Sequence, residues 1–307
     1  MLRVLTYQRI AELKDSQTLN PRSISATPAG FAKQMRYVAN YWHVVSMPQV
    51  LEAMEQRTPL PKRAMLITFD DACCDFGEIA WPILQSFRLP ATLFVPTDYP
   101  DQPQRSFCWD RLYRAIFLTS SSEVYIMPLG VLPLRNSVER YRSLWRVQNY
   151  AKTIAHAGAM ALVDEICAKL GSQPVVQKHT LGWEELRQLA LAGVTLGAHT
   201  QTHPIMTQIT PAEIRQEISG SQKTLQREIG AALPIFCYPS GGHDAAVVAI
   251  LKDEGFVAAF TTLDGHNDLR SADLLRLRRT NITKRTSPPI FRFRLSRLGA
   301  YFDRWRH

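Results

Sequence analysis

Long apolar runs are missing from this sequence: none approaches the roughly 18 consecutive apolar residues that a membrane-spanning helix needs. The first ten residues also lack the basic and apolar segments of a secretory leader, so we expect an unsecreted, cytoplasmic protein. The five cysteines form an odd set without CxxC spacing, which favours free thiols over a disulfide framework. Internal repeats and low-complexity linkers are missing as well.

The composition is that of an ordinary folded protein. Of 307 residues, 46% are hydrophobic and 21% are charged, which excludes disordered, collagen-like and coiled-coil chains. The net charge of +9 is confined to one end, since residues 270–307 hold eleven Lys or Arg and two acidic residues, whereas the remainder holds 25 of each sign. Because basic residues do not dominate the body of the protein, we expect no nucleic-acid partner.

The segment 285–307 mixes aromatic residues and leucine with arginine. This composition is typical of a tail that lies on an anionic membrane surface, here the inner face of the membrane. It is equally typical of a terminal helix whose arginines are solvated, so both interpretations stay open.

Strand-like and helix-like segments alternate along most of the chain, a pattern typical of βα units around a parallel sheet or barrel. The nearly continuous apolar run Ala64–Phe69 predicts a strand covered on both faces. Thr210, followed by a proline and by Glu213, predicts the start of a helix. The alternation breaks between about residues 98 and 180, where we expect a helical insertion. The sequence therefore predicts an α/β barrel over residues 1–284, interrupted by this insertion.

Two adjacent carboxylates, Asp70 and Asp71, follow the predicted strand Ala64–Phe69, at the end where α/β barrels assemble their sites. Charges placed there are costly unless a cation, an arginine or helix N-terminal amides compensate them. The alternative is that one of the two caps the following helix and the other is solvated.

Two histidines, His199 and His203, follow another predicted strand with HxxxH spacing. Zinc peptidases with this spacing carry a glutamate beside the first histidine, which is missing here, and Pro204 favours a turn over a helix. Either geometry can present two nitrogen ligands to one metal. Two histidines and one aspartate would form a facial ligand set with positions left for water and substrate. The alternative is an accidental spacing.

A run of turn-forming residues, 239–242, follows a third predicted strand. It is either a plain turn or one whose backbone N–H approaches a substrate oxygen, as in an oxyanion hole. His266 lies in the loop after a fourth predicted strand and is either a proton-transfer residue or a solvated histidine.

In this order and spacing, the clusters resemble the motifs of the polysaccharide deacetylase family, which is the NodB-homology group of carbohydrate esterase family 4. Thr68–Asp71 matches the TFDD motif, with Ala72 in place of the usual glycine, and residues 199–203 match the H-[ST]-x-x-H motif. The turn that starts at Phe236 is similar to the FxYPxG variant of a branch acting on exopolysaccharide and related surface sugars. The resemblance extends over roughly residues 4–282, apart from the insertion.

The resemblance implies a distorted (β/α) barrel with fewer than eight strands. It also implies a divalent metal, commonly zinc, with cobalt, nickel or manganese as alternatives. In that assignment the metal ligands are Asp71, His199 and His203, and the general base is Asp70. On the turn we expect the backbone N–H of Ser240 to stabilise the oxyanion, with substrate contacts from Tyr238, Pro239 and Gly241.

Three positions depart from the family pattern. The family commonly has an arginine two residues before the proline of the turn, where it supports the catalytic aspartate, but this chain has Cys237. No Leu-x-His tripeptide, the usual source of the general acid, occurs near residues 275–282. His266 and His243 are the nearest candidates by position, and a metal-bound water or a substrate group is the alternative. Gln8 stands where relatives often have a histidine after a tyrosine.

The sequence therefore predicts a metal-dependent hydrolase that removes an N-acetyl group from an amino sugar in a glycan or a lipid-linked glycan precursor of a surface or exopolysaccharide pathway. The departures leave a second hypothesis, a catalytically inactive barrel that binds glycans or partner proteins.

Four aromatic residues of the insertion form either one wall of a sugar groove or the insertion's own core. These residues are Trp109, Tyr113, Tyr141 and Trp145.

Overall fold

Parallel strands form the central sheet of the computed structural model, which describes residues 1–12, 19–173 and 175–296. In chain order, the strands are β1 (Leu2–Tyr7), β2 (Arg9–Ile10), β3 (Ile24–Ala26), β4 (His43–Val44), β5 (Ala64–Phe69), β6 (Thr92–Val95), β7 (Glu123–Ile126), β8 (Gly130–Pro133), β9 (Thr195–Ala198), β10 (Ile235–Cys237), β11 (Ala258–Phe260) and β12 (Thr280–Asn281). The α-helices are α1 (Pro28–Tyr41), α2 (Met47–Glu55), α3 (Trp81–Ser86), α4 (Cys108–Leu118), α5 (Ser137–Ala151), α6 (His156–Lys169), α7 (Trp183–Leu191), α8 (Pro211–Ile229), α9 (Ala245–Asp253) and α10 (Pro288–Leu295).

Seven strands follow one another around the sheet in the order β11-β10-β9-β6-β5-β1-β12, and all of these neighbours pair in parallel. The short β4 pairs with the amino end of β5. Helices connect most of the successive strands, as parallel pairing requires. The expected distorted (β/α) barrel is thereby confirmed. The predicted capping box at Thr210 is also present and begins α8.

Five strands of the sheet (β1, β5, β6, β10 and β11) contribute to two hydrophobic cores. Along β10, Ile235 and Cys237 pack among residues of the neighbouring strands on the inner face, where α2 adds Met47. Phe236 and the following Tyr238 pack in the larger core between the sheet and the surrounding helices. The alternation arises because successive side chains of a strand point to opposite faces. It determines which residues beyond each strand end can reach the interior of the curled sheet.

The insertion has a hydrophobic cluster of its own, built from α4, α5, α6 and the antiparallel hairpin of β7 and β8. The sequence predicts only helices there. The hairpin strands have four residues each and leave Tyr125 and Val131 exposed, so their apolar pattern is weak. A buried ion pair, 2.8 Å between Arg9 and Asp110, joins the insertion to the barrel.

Helix α10 packs against the barrel: Phe291 is buried and contacts the Tyr37 ring of α1. The described part of the predicted tail is therefore attached to the barrel. Residues 297–307, which hold much of the predicted membrane-contact segment, lie outside the described residues. None of the described helices combines the length and apolarity that crossing a membrane requires.

Candidate active site

The three predicted metal ligands meet at the carboxyl edge of the sheet, where β5 and β9 end. The Oδ1 atom of Asp71 lies 3.3 Å from Nε2 of His199 and 3.1 Å from Nε2 of His203. All three ligand atoms lie within 4.8 Å of one another. Although Asp71 is only 2% exposed, its Oδ1 accepts no hydrogen bond. A buried carboxylate oxygen that faces two imidazole nitrogens without a hydrogen-bond donor fits a divalent cation.

The orientation of the His199 ring supports the same conclusion. Its Nδ1 lies 2.7 Å from the carbonyl oxygen of Cys237. Because a carbonyl only accepts, Nδ1 must donate, and in the neutral ring the lone pair then resides on Nε2, facing Asp71. A backbone carbonyl that fixes the tautomer in this way is the usual support of a metal-bound histidine.

Electrostatics keep Asp71 ionised. Burial acts to raise the pKa of this carboxyl group, but the imidazoles of His203 and His199 outweigh burial and hold the pKa well below its usual range. Burial lowers the pKa of His199, but contacts with Cys237 and Asp71 raise it by more, so the pKa lies above its ordinary value. A cation would compete with the proton for the histidine nitrogen, so metal affinity should fall as the pH falls.

The loops that carry these groups have strained backbones. Positive φ angles occur at Asp71 (74°), Ala72 (48°), Thr200 (67°), His203 (65°) and Ser240 (53°). Non-glycine residues rarely adopt such angles, and at Ala72 the angle explains why the family usually has glycine. Strain of this kind persists only where the surrounding structure fixes the conformation, as it does around functional groups.

A second acidic residue, Glu217 of α8, holds the loop between the two histidines. Its carboxylate accepts hydrogen bonds from the backbone N–H of Gln201 (2.7 Å) and Thr202 (3.0 Å) and from the Thr202 hydroxyl (2.6 Å). Gln8 completes the surroundings of Asp71 by donating its side-chain amide to Oδ2. No sequence pattern points to Glu217, because an acidic residue in a surface helix is ordinary.

Arg279 holds the predicted base, Asp70, with a bidentate ion pair. The guanidinium Nη1 and Nη2 lie 2.8 and 2.7 Å from the two carboxylate oxygens, and Nε donates to the carbonyl of Thr261. Nη2 also lies 3.2 Å from Sγ of Cys237, the position where the family commonly has its arginine. The arginine that supports Asp70 therefore comes from the residue before β12. Because no local motif surrounds Arg279, this contact could not be predicted from the sequence.

A second group, formed by Asp70, His199 and Cys237, also has ligand-type atoms within 4.8 Å of one another. The Arg279 guanidinium occupies both oxygens of Asp70 and touches the sulfur, which disfavours a second cation. Burial raises the pKa of the Cys237 thiol, so the thiolate that a metal needs is disfavoured too. The set of Asp71, His199 and His203 is the better metal site.

The turn after β10 brings Ser240 to the same cavity as Asp70 and Asp71. The N–H groups of Gly241 and Gly242 are satisfied within the turn, by the carbonyls of Tyr238 (2.8 Å) and Pro239 (3.0 Å). The structure does not bring Tyr238 to the cavity. Its ring is buried between sheet and helices, and its hydroxyl donates to the carbonyl of Leu275, because strand alternation turns it away from the inner face. Pro239 is buried and does not line the cavity either.

His266, the predicted general acid, is not brought to the site. The next residue, Asn267, pairs with Leu2, at the amino end of β1. Asp70 lies beyond the other end of the neighbouring strand, roughly 20 Å away along the sheet. His243 stacks on Tyr238 and bonds to the Gly241 carbonyl, outside the cavity.

A cavity of about 440 Å³ opens above these groups, between the barrel edge and the insertion. Of the four aromatic residues predicted as a sugar-groove wall, Trp109 lines this cavity, with its ring 5.1 Å from that of His203. Tyr113 and Tyr141 instead pack on Phe117 within the insertion, and Trp145 is exposed elsewhere. One of the four therefore borders the site, and one, Tyr113, belongs to the insertion's core, whereas Tyr141 is half-buried beside Phe117.

The turn itself can be tested at Gly241, which has a φ of 73° and would place a Cβ only 2.1 Å from Oγ1 of Thr262. We expect Gly241→Ala to displace Ser240, lower catalytic activity and destabilise the fold by about 2–3 kcal/mol in thermal or urea unfolding. Gly230→Ala is the matched control, because Gly230 has a similar φ of 78° but open space around it. It should cost about 1 kcal/mol and leave activity unchanged. Equal effects of the two substitutions would contradict the role of the Thr262 contact.

Comparison with known proteins agrees with this geometry. The family described as polysaccharide deacetylase matches residues 57–259, and the chain belongs to that family. Over 90 residues, it is 30% identical to the poly-beta-1,6-N-acetyl-D-glucosamine N-deacetylase of Escherichia coli K12, a match that spans 29% of this chain and 13% of that protein.

Solved structures with the same fold cover nearly the whole chain. The Streptococcus pyogenes deacetylase PplD, in complex with acetate, superposes with a TM-score of 0.65 at 18% identity, over 96% of this chain and 98% of that one. IcaB from Ammonifex degensii superposes with a TM-score of 0.61 at 16% identity, over 96% and 97% of the two chains. At these identities the similarity shows the fold.

Proposed function

We propose that this protein is a metal-dependent deacetylase that hydrolyses the N-acetyl group of an acetylated amino sugar in a glycan or lipid-linked glycan precursor. The observation that carries the proposal is the buried set of Asp71, His199 and His203, which opens into the same cavity as Asp70. Zinc suits this nitrogen and oxygen ligand set, and cobalt, nickel or manganese are the alternatives.

The chemistry supplied by such a cation is polarisation of the acetyl carbonyl and acidification of a water. Asp70, which is 17% exposed and lines the cavity, would accept the proton of the attacking water. Arg279 holds the Asp70 carboxylate in place from the buried side. The backbone N–H of Ser240, on the turn at the cavity wall, would stabilise the oxyanion.

The proposed substrate class follows the names of the relatives. The Escherichia coli relative is called a poly-beta-1,6-N-acetyl-D-glucosamine N-deacetylase, and the proposal extends an N-acetylglucosamine-containing substrate to this chain. The cavity volume lies within the range of ordinary small-molecule sites, so it suits a sugar residue. A cytoplasmic location and contact with the inner face of the membrane stay predictions that cell fractionation would test.

Metal removal tests the proposal directly. The purified protein should contain about one divalent metal ion per chain and release acetate from N-acetylglucosamine oligosaccharides or lipid-linked N-acetylated precursors. Chelation should abolish acetate release, and added zinc should restore it. Metal content is measured by elemental analysis and acetate by an enzyme-coupled assay.

The same assay separates the alternatives. A protein that binds metal and glycan but releases no acetate would be the inactive, glycan-binding barrel. Acetate release that persists in metal-free protein would contradict the metal-dependent mechanism. Asp70→Asn should keep the metal and lower acetate release by about a thousandfold, as expected for loss of a general base.

A further inference from the structure

The site lacks a proton donor for the departing amine among the residues considered so far. An amine leaves only when it is protonated, so amide hydrolysis near neutral pH needs a general acid. Gln8 donates its side-chain amide to Asp71, and a neutral amide is too weak an acid to protonate an amine. His266 lies at the opposite end of the sheet, and His243 is stacked outside the cavity.

His156 is the remaining described histidine that reaches the cavity. Three of the described histidines line it, and the other two are His199 and His203. His156 is the first residue of α6 in the insertion and is half-buried.

Contacts between the insertion and the barrel hold His156 above the site. The Gln208 side-chain amide, just beyond the histidine loop, donates to the carbonyl of Ala151 at the end of α5 (3.0 Å). The buried pair of Arg9 and Asp110 fixes α4 from the other side. The junction between α5 and α6 ends at His156. These contacts hold that junction beside the loop that carries His203.

We propose that His156 donates the proton to the leaving amine, so that the insertion completes the active site. The proposal rests on the deacetylase function proposed above. Water adds to the acetyl carbon and passes a proton to Asp70. The C–N bond then breaks, its electron pair goes to nitrogen, and nitrogen takes the proton of the His156 imidazolium. Acetic acid and the free amine leave, after which Asp70 returns its proton to solvent and His156 regains one from solvent.

The charges around His156 determine the pH dependence. Burial lowers the pKa of His156 below its ordinary value of 6.5; Glu217 and Glu213 of α8 act to raise it, and His203 and Arg105 act to lower it. Only the protonated ring is an acid, so the rate of amide hydrolysis should fall as the pH rises through this pKa. Lys152 is another titratable side chain at the cavity wall and is the competing donor.

His156→Gln tests the proposal with two substrates. One is an N-acetylglucosamine oligosaccharide, whose amine leaving group needs a proton. The other is 4-nitrophenyl acetate, whose leaving group departs without one. We expect the variant to lose about a hundredfold in kcat on the amide and to lack the high-pH decline of the wild type. Its ester hydrolysis and its metal content should be unchanged, which also shows that the variant is folded.

Four results would overturn the proposal, and a fifth would refute the function on which it rests. Equal losses on amide and ester would make His156 a structural residue, and an unchanged amide rate would place the donor elsewhere. A high-pH decline that persists in His156→Gln and disappears in Lys152→Gln would assign the proton to Lys152. If the wild-type protein hydrolyses neither substrate, the deacetylase function itself is refuted. If it hydrolyses the ester but not the amide, His156 is refuted as an effective donor.

Discussion

Replacing both His199 and His203 with alanine should abolish metal binding and acetate release together. Two of the three ligands are lost, and the single carboxylate of Asp71 that remains cannot hold a divalent ion at ordinary metal concentrations. Elemental analysis should find no metal beyond the level of a buffer blank, and acetate release should drop to background. A double variant that keeps about one metal ion per chain would contradict the assigned ligand set.

Asp71→Asn is the matched second variant, because it separates loss of the metal from loss of the fold. In the double histidine variant, Asp71 stays buried at 2% exposure without the imidazoles that compensate its charge, so the metal-free protein should lose about 1–3 kcal/mol of stability. Asparagine keeps the shape of the side chain and removes the charge. It should therefore lose the metal and the activity with a smaller decrease in the unfolding midpoint, measured in metal-free buffer.

The convergence of Asp71, His199 and His203 could be predicted from the sequence because each lies in a short motif at a strand end. The motif around Asp71 follows β5, and that around His199 and His203 follows β9. Parallel strands end at one edge of the sheet, so motifs that are far apart in the chain meet in space without knowledge of the loops. The same geometry explains why Ser240, after β10, reaches the cavity.

The residues that the sequence did not place depend on long-range packing. Arg279 meets Asp70 across 209 residues, from a segment with no recognisable motif. His266 could not be placed by strand order alone, because its loop folds back to pair with Leu2 at the amino end of β1. Tyr238 follows a strand end, as the motif residues do, but side-chain alternation turns it into the helix-facing core. His156 lies in the insertion, which the family resemblance does not cover.

Arg279→Met should lower kcat for acetate release by about a hundredfold to a thousandfold while leaving the metal content unchanged. The guanidinium makes two hydrogen bonds to Asp70 and is itself fully buried, so its removal frees the carboxylate to rotate away from the attacking water. Removing one partner of such a pair should also lower the free energy of unfolding, measured in urea, by about 3 kcal/mol. This value is near the low end for buried pairs because Asp70 is partly exposed. Arg279→Lys keeps the charge but not the two-pronged geometry, so we expect an intermediate loss.

A swap variant tests whether Arg279 takes the place of the arginine that the family commonly has at the position of Cys237. The Cys237 sulfur lies 3.2 Å from Nη2 of Arg279 and 3.6 Å from Oδ1 of Asp70, so side chains from both positions converge on the same carboxylate. Arg279→Cys alone should lose activity as Arg279→Met does. Adding Cys237→Arg places a guanidinium in the vacated space and should recover at least part of the lost kcat. The double variant could instead be no more active than Arg279→Cys while keeping the metal and the fold. That result would show that the support of Asp70 depends on the Arg279 position itself.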